Sequence, residues 1–144
     1  MRLRPYQQRD LGQVYTLATR ALNETYSTTV FTDISSYWPE GFIVLEQDTD
    51  VIGFVFGIMM SRSEARILML AVDERYRMRG LGDTLYRAFA QECAGKGIHS
   101  ISLEVRISNF SAIRFYQKEG FQIVGRIDKY YTNGEDAYRM QVFL

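Results

Sequence analysis

The apolar residues of this chain switch between two spacings, every second position and every third or fourth, and the switches mark out its elements. Residues 2–6, RLRPY, read as a short strand. Asp10 is then placed to N-cap a helix carrying Leu11, Val14, Tyr15, Leu17, Ala18, Ala21 and Leu22 on one stripe. Residues 23–41 are polar and aromatic, close on Pro39 and Gly41, and read as loop plus a short helix. FIVLEQ and VIGFVFGIMM flank DTD and predict a β-hairpin. RILMLAV, apolar on both faces, predicts a central strand over 66–72. From Leu81 the spacing turns helical through Leu85, Ala88, Phe89 and Cys93, until GKG stops it. IHSISLEV alternates: His99, Ile101, Leu103 and Val105 share one face, and Ser100, Ser102 and Glu104 share the other. SNFSAIRFYQKEGF predicts a third helix, with Ser108 or Asn109 as N-cap and Gly120 as stop. The chain ends in a hairpin, FQIVGRIDKYY and AYRMQVFL, around TNGED. The order β-α-β-β-β-α-β-α-β-β predicts a mixed sheet with helices packed on its faces, an α/β or α+β sandwich.

Composition narrows the class. With 144 residues and 47% hydrophobic content, the chain fits a single domain over 1–144 that buries roughly 70% of its unfolded surface. Its 17 basic and 17 acidic residues cancel, so no global field argues for nucleic acid or an anionic membrane. The lone Cys93 excludes an internal disulfide and a cysteine metal cluster and suits a reducing cytosol. The first residues lack the apolar run of a secretory signal, and VIGFVFGIMM is about half of what a membrane span needs. These features predict a cytoplasmic globular domain.

Any anion site must therefore be local, and RYRMRGLGDTL at 75–85 offers one. Strand, arginine-rich turn, Gly-x-Gly and helix follow in that order. A helix start leaves about four backbone N–H groups unpaired and carries about half a positive charge. Gly80 and Gly82 let an anion approach that backbone without meeting a Cβ, and Arg77 and Arg79 add charge-assisted donors suited to a pyrophosphate. Solvated surface charge is the plain alternative. A nucleoside-triphosphate loop would need Gly-Lys-Ser/Thr, and a dinucleotide fingerprint would need glycine where Leu85 stands.

RMRGLG after an apolar strand is similar to the Arg/Gln-x-x-Gly-x-Gly/Ala motif of the GNAT superfamily, the acyl-CoA-dependent N-acyltransferases. LEVRISNFSAIRFYQKEGF resembles the second CoA-binding segment of that superfamily, in the form found in Nα-acetyltransferases such as the ribosomal-protein alanine acetyltransferases. The resemblance implies a mostly antiparallel sheet of about seven strands with helices on both faces. It implies acetyl-CoA as cosubstrate, no metal, and a protein or peptide N-terminus as acceptor. Leu70, Ala71 and Val72 would offer backbone groups to the pantetheine arm and the acetyl carbonyl. Arg77, Met78, Arg79, Gly80, Leu81 and Gly82 would hold the pyrophosphate, with Asp83 and Thr84 adding contacts. Asn109 would bond the pantetheine. Tyr116 would reach the thioester sulfur as acid, and Glu104 would be the base. Tyr130 and Tyr131 resemble the pair that grips substrate backbone, with Glu24, Tyr26 and Phe31 on the opposite lip.

Some readings stay open at this point. Glu104 can equally be a strand carboxylate paired with Arg106 or Arg66, and Asn109 can be a helix cap as well as a ligand contact. Some eukaryotic relatives use a tyrosine near the Arg66 position, so their base arrangement does not transfer. Cys93 and His99 read as structural. A small amine or a lysine is the alternative acceptor, and a non-catalytic acyl-CoA-binding module is the alternative class, though it has no need of Glu104 and Tyr116 together. A homodimer or an auxiliary subunit is an open partner.

Overall fold

The computed structural model describes residues 1–22 and 27–144. The strands are β1 (Arg2–Pro5), β2 (Phe42–Gln47), β3 (Asp50–Met59), β4 (Glu64–Val72), β5 (Ser100–Arg106), β6 (Gln122–Ile127) and β7 (Ala137–Phe143). The helices are α1 (Leu11–Leu22), α2 (Leu81–Gly95) and α3 (Phe110–Lys118). All seven strands form one sheet in the order β1-β2-β3-β4-β5-β7-β6, antiparallel except where β4 meets β5. The predicted element order and the mixed sheet with helices on both faces are what is found. Among the described residues no helix is long and apolar enough to cross a membrane.

Two apolar layers cover the sheet. On one face, Val14, Leu17 and Ala18 of α1 pack with Phe31, Phe42, Phe54 and Phe56. On the other, Leu85, Phe89 and Cys93 of α2 and Ile113 and Tyr116 of α3 pack with Ile101, Leu103 and Val105. Burying each large side chain contributes about 1.5–3 kcal/mol.

Three details differ from the sequence reading. Asp10 does not reach forward to cap α1. It accepts from the Gln7 N–H at 2.8 Å, and both its oxygens take the Arg4 guanidinium at 2.8 and 2.9 Å, so it anchors β1 to the turn before the helix. Phe31 is fully buried, with ring centroids of Phe42, Phe54 and Phe56 at 6.3, 6.5 and 6.0 Å. Expected on the substrate lip, it is instead a core residue with no surface for a ligand. Tyr130 and Tyr131 lie in the loop between β6 and β7 rather than on a strand.

The feature that positions the site is a fault in β4. Phe56 of β3 faces Met69, but the next residue, Gly57, faces Ile67, so Leu68 is an extra residue without a ladder partner. Ala65 and Ile67 point to the α2 layer, whereas Leu68 and Met69 both point to the α1 layer. Such a bulge bends its strand and ends regular pairing. Parallel pairing between β4 and β5 accordingly covers only Glu64–Arg66 against Ser100–Ser102. Beyond Arg66 the two strands part.

Candidate active site

A cavity of about 290 Å³ opens where β4 and β5 part. Its walls are Ile67–Leu70 of β4 and Leu103–Arg106 of β5, completed by Asn109, Ala112 and Tyr116 and by Tyr130 and Tyr131. The β4 edge facing it has no ladder partner there, which leaves backbone groups for a bound molecule to satisfy. Leu70 lines this cavity; Ala71 and Val72 continue the strand beyond it, and the Val72 carbonyl accepts from Arg77 Nε at 3.2 Å. A larger cleft of about 870 Å³ lies beside α1. Among the described residues, Glu104, Tyr116, Tyr130 and Tyr131 line the smaller cavity and not this cleft.

Glu104 and Tyr116 enter the cavity from opposite sides of the sheet. Leu103 and Val105 face the α2 and α3 layer with Tyr116, so Glu104 between them faces the other way. Glu104 Oε1 accepts from Arg139 Nη2 at 2.9 Å and sits 3.2 Å from Arg66 Nη1. Arg66 is itself braced, its Nε donating to Ser102 Oγ at 3.1 Å and Ser102 donating to Glu64 at 2.9 Å. Both arginines reach one oxygen. Oε2 takes no bond among the described residues. The ion pairing expected with Arg106 or Arg66 is thus made with Arg66 and with Arg139, a residue the sequence reading missed. Its position directly opposite Glu104 on β7 follows only from the strand register.

Tyr116 is 8% exposed. Burial pushes its phenol above the usual range, so it stands as a neutral donor. Asn109 caps α3, its Oδ1 accepting from the Ala112 N–H at 3.2 Å and from Ser111 Oγ at 3.3 Å. Asn109 also lines the cavity, and its amide NH₂ makes no bond among the described residues. Tyr130 and Tyr131 meet edge to face, ring centroids 5.0 Å apart. Partial burial, then the Glu104 carboxylate, raise the Tyr130 phenol above its usual range. Glu24 and Tyr26 lie outside the described residues.

At the glycine loop, Asp73 caps a turn over Glu74–Tyr76 by accepting from the Arg75 N–H at 2.9 Å. Met78 and Gly80 then take positive φ, 66° and 75°. The N–H groups from Met78 to Asp83 find no backbone acceptor among the described residues. Consecutive free N–H groups around a left-handed residue make an anion-binding concavity. Gly82 is small for a packing reason: a Cβ there would stand 3.1 Å from the Phe115 ring of α3. Thr84 returns its hydroxyl to the Gly80 carbonyl at 3.1 Å, and the Asp83 carboxylate pairs with Arg87 at 3.0 Å. The arginines of the loop make contacts within the chain. Arg79 lies over the Tyr76 ring, 5.4 Å from its centroid, and Arg77 is drawn to Val72 and borders the cleft beside α1. Leu81 packs against the α2 layer. What the loop offers an anion is backbone first.

The pattern described as the acetyltransferase (GNAT) family matches residues 11–121. N-alpha-acetyltransferase 30 of Schizosaccharomyces pombe is 31% identical over 143 residues, spanning 94% of this chain and 93% of the relative. The crystal structure of Ard1 from Thermoplasma volcanium superposes with a TM-score of 0.96 at 40% identity, covering 99% of this chain and 97% of the other. The ribosomal-protein-S18-alanine N-acetyltransferase from Escherichia coli does so with a TM-score of 0.85 at 29% identity, covering 99% and 92%. With more than half its length matched, the chain belongs to the GNAT acetyltransferase family.

Proposed function

We propose that residues 1–144 form one N-acetyltransferase unit that moves an acetyl group from acetyl-CoA to the α-amine of a protein or peptide N-terminus. The observation that carries this reading is the cavity between β4 and β5, lined from opposite faces by Glu104 and Tyr116 and closed by Tyr130 and Tyr131. Relatives named N-alpha-acetyltransferases support the acceptor class.

The free N–H groups of the Met78–Asp83 loop fit a diphosphate, and the unpaired edge of β4 fits an amide-bearing arm. Acetyl-CoA supplies the thioester carbon. A β4 N–H at the parted edge polarises the carbonyl, an oxyanion site built from backbone. The amine approaches from the Glu104 face; as the N–C bond forms, Glu104 takes its proton directly or through one water. On the other face Tyr116 gives a proton to the departing sulfur; burial makes its phenol a weaker acid than the free group, so the proton moves as negative charge gathers on the sulfur in the same water-poor pocket. Asn109 holds the arm, and Tyr130 and Tyr131 hold the acceptor backbone. Neutralising an α-amine of pKa near 8 at pH 7 costs about 1 kcal/mol, against about 4.6 kcal/mol for a lysine amine. A site with a single carboxylate suits the first.

Short peptides differing at their first two residues, incubated with acetyl-CoA and read by mass spectrometry, test the proposal. Acetylation on the terminal amine, absent from N-terminally blocked peptides that keep a lysine, is the expected result. Modification of the lysine alone, or of none, overturns it.

A further inference from the structure

The loop that carries Tyr130 and Tyr131 is tied to the connection between β5 and α3 by several contacts, with both oxygens of one carboxylate at their centre. Glu135 Oε1 accepts from Arg106 Nη1 at 3.0 Å, and its Oε2 accepts from the Ser108 N–H at 3.0 Å. Ser108 leads directly into Asn109, the α3 cap that lines the cavity. Asn133 closes the same knot, its Oδ1 accepting from Arg106 Nη1 at 3.1 Å and from the Glu135 N–H at 3.0 Å. On the loop side, the Tyr131 N–H donates to the Glu135 carbonyl at 3.1 Å. The Arg106 guanidinium lies over the Tyr131 ring, 4.0 Å from its centroid. The Ile107 N–H adds a bond to the Asp136 carbonyl at 3.2 Å.

We infer that Glu135 is a positioning residue, fixing the two acceptor-side tyrosines relative to the end of the cavity that holds the pantetheine arm. The inference rests on the N-terminal acetyltransferase reading and adds the device that sets acceptor affinity. The sequence shows Glu135 only as a turn residue in TNGED; the role comes from what its two oxygens reach. Each oxygen serves a different donor, Arg106 at the end of β5 and Ser108 two residues on. A glutamine has one acceptor oxygen, and its NH₂ accepts from neither Arg106 nor Ser108. Glu135→Gln therefore cuts one arm of the tie while keeping shape and size. Both members of the Arg106–Glu135 pair are partly buried, 20% exposed in their side chains, and a glutamine keeps one hydrogen bond there, so the cost to global stability is small. The loss should appear in where the tyrosines are held, not in whether the chain folds.

The test compares wild type with Glu135→Gln by steady-state kinetics on an accepted peptide, thermal melting, and amide hydrogen exchange of residues 128–136 without acceptor. Expected are a peptide KM raised about tenfold, kcat and the acetyl-CoA KM within about twofold, an unmoved melting temperature, and faster exchange in the loop. An unchanged peptide KM overturns the inference. So does a parallel loss in melting temperature and in both KM values, the mark of a merely structural contact. A wild type that acetylates no peptide sinks the functional reading and the acceptor role with it, while the exchange still reads whether the tie exists.

Discussion

Glu104 and Tyr116 line one cavity from opposite faces of the same sheet. A gap in the β4–β5 ladder is what makes this possible, because a continuous sheet would separate them. Amine and departing sulfur can then be served from two sides of one carbonyl without either residue crossing the other. For Tyr116→Phe, the ring and its packing against Phe121 at 5.3 Å persist while the proton is lost. Turnover should fall about a hundredfold, the usual size of a general-acid contribution. CoA affinity by calorimetry should hold. Intact turnover would assign the proton to another donor.

Glu104 is held by two guanidinium groups on one oxygen, which fixes the direction of the other. Glu104→Gln keeps a hydrogen-bonding partner for Arg139 and removes the proton acceptor. The optimum of kcat/KM for peptide should move up toward the α-amine value near 8, because only amine already neutral in solution can then react. A profile that stays in place, with a lower melting temperature, would make Glu104 a strut for Arg66 and Arg139.

The loop makes a sharper forecast about what holds the diphosphate. Gly80 has φ 75° and nothing within 4 Å of where a Cβ would stand, so Gly80→Ala is free of clashes but strained and bulkier on the approach side. A left-handed non-glycine residue costs about 1–2 kcal/mol, which is roughly tenfold or more in affinity if the loop relaxes away from its shape. Arg77→Ala should cost less than about threefold, since Arg77 is engaged with the Val72 carbonyl. Calorimetric titration with CoA ranks the two. The reverse order would mean that the guanidinium groups, not the backbone, carry the anion.

Local rules made much of this visible. Helical stripes, alternating strands and the Gly80–Gly82 stretch depend on neighbours in sequence, so periodicity finds them. The parted sheet depends on Leu68, an extra residue defined only by its register against Phe56 and Gly57, which the apolar run RILMLAV does not betray. Burial of Phe31 is hidden from the pattern because it sits in a π-helical stretch, Val30–Ile34, whose wider turn breaks the spacing that marks a buried stripe. Asp10 had the right residue type for a cap. It was claimed instead by Arg4, which β1 pairing with β2 brings beside it together with Glu46.

Glu119, the C-cap of α3, stands beside Asp83 in the first turn of α2, with Arg87 facing the pair. Burial, then the Asp83 carboxyl, push Glu119 up to about 7, while Asp83 is held below its usual value. The pair therefore shares one proton in mildly acidic solution and gives it up around pH 7. Because the folded-state value is raised above the ordinary carboxyl value near 4.3, the proton's contribution to stability is complete below that pH. It is lost as pH rises through about 7. Wild-type unfolding midpoints in urea should thus decline between pH 5 and pH 8, and Glu119→Gln, which cannot ionise, should flatten that decline. Above pH 7 the variant should be the more stable protein, since wild type then sets two carboxylates side by side. A variant whose midpoints track wild type across the range would mean that the two helices meet without a shared proton.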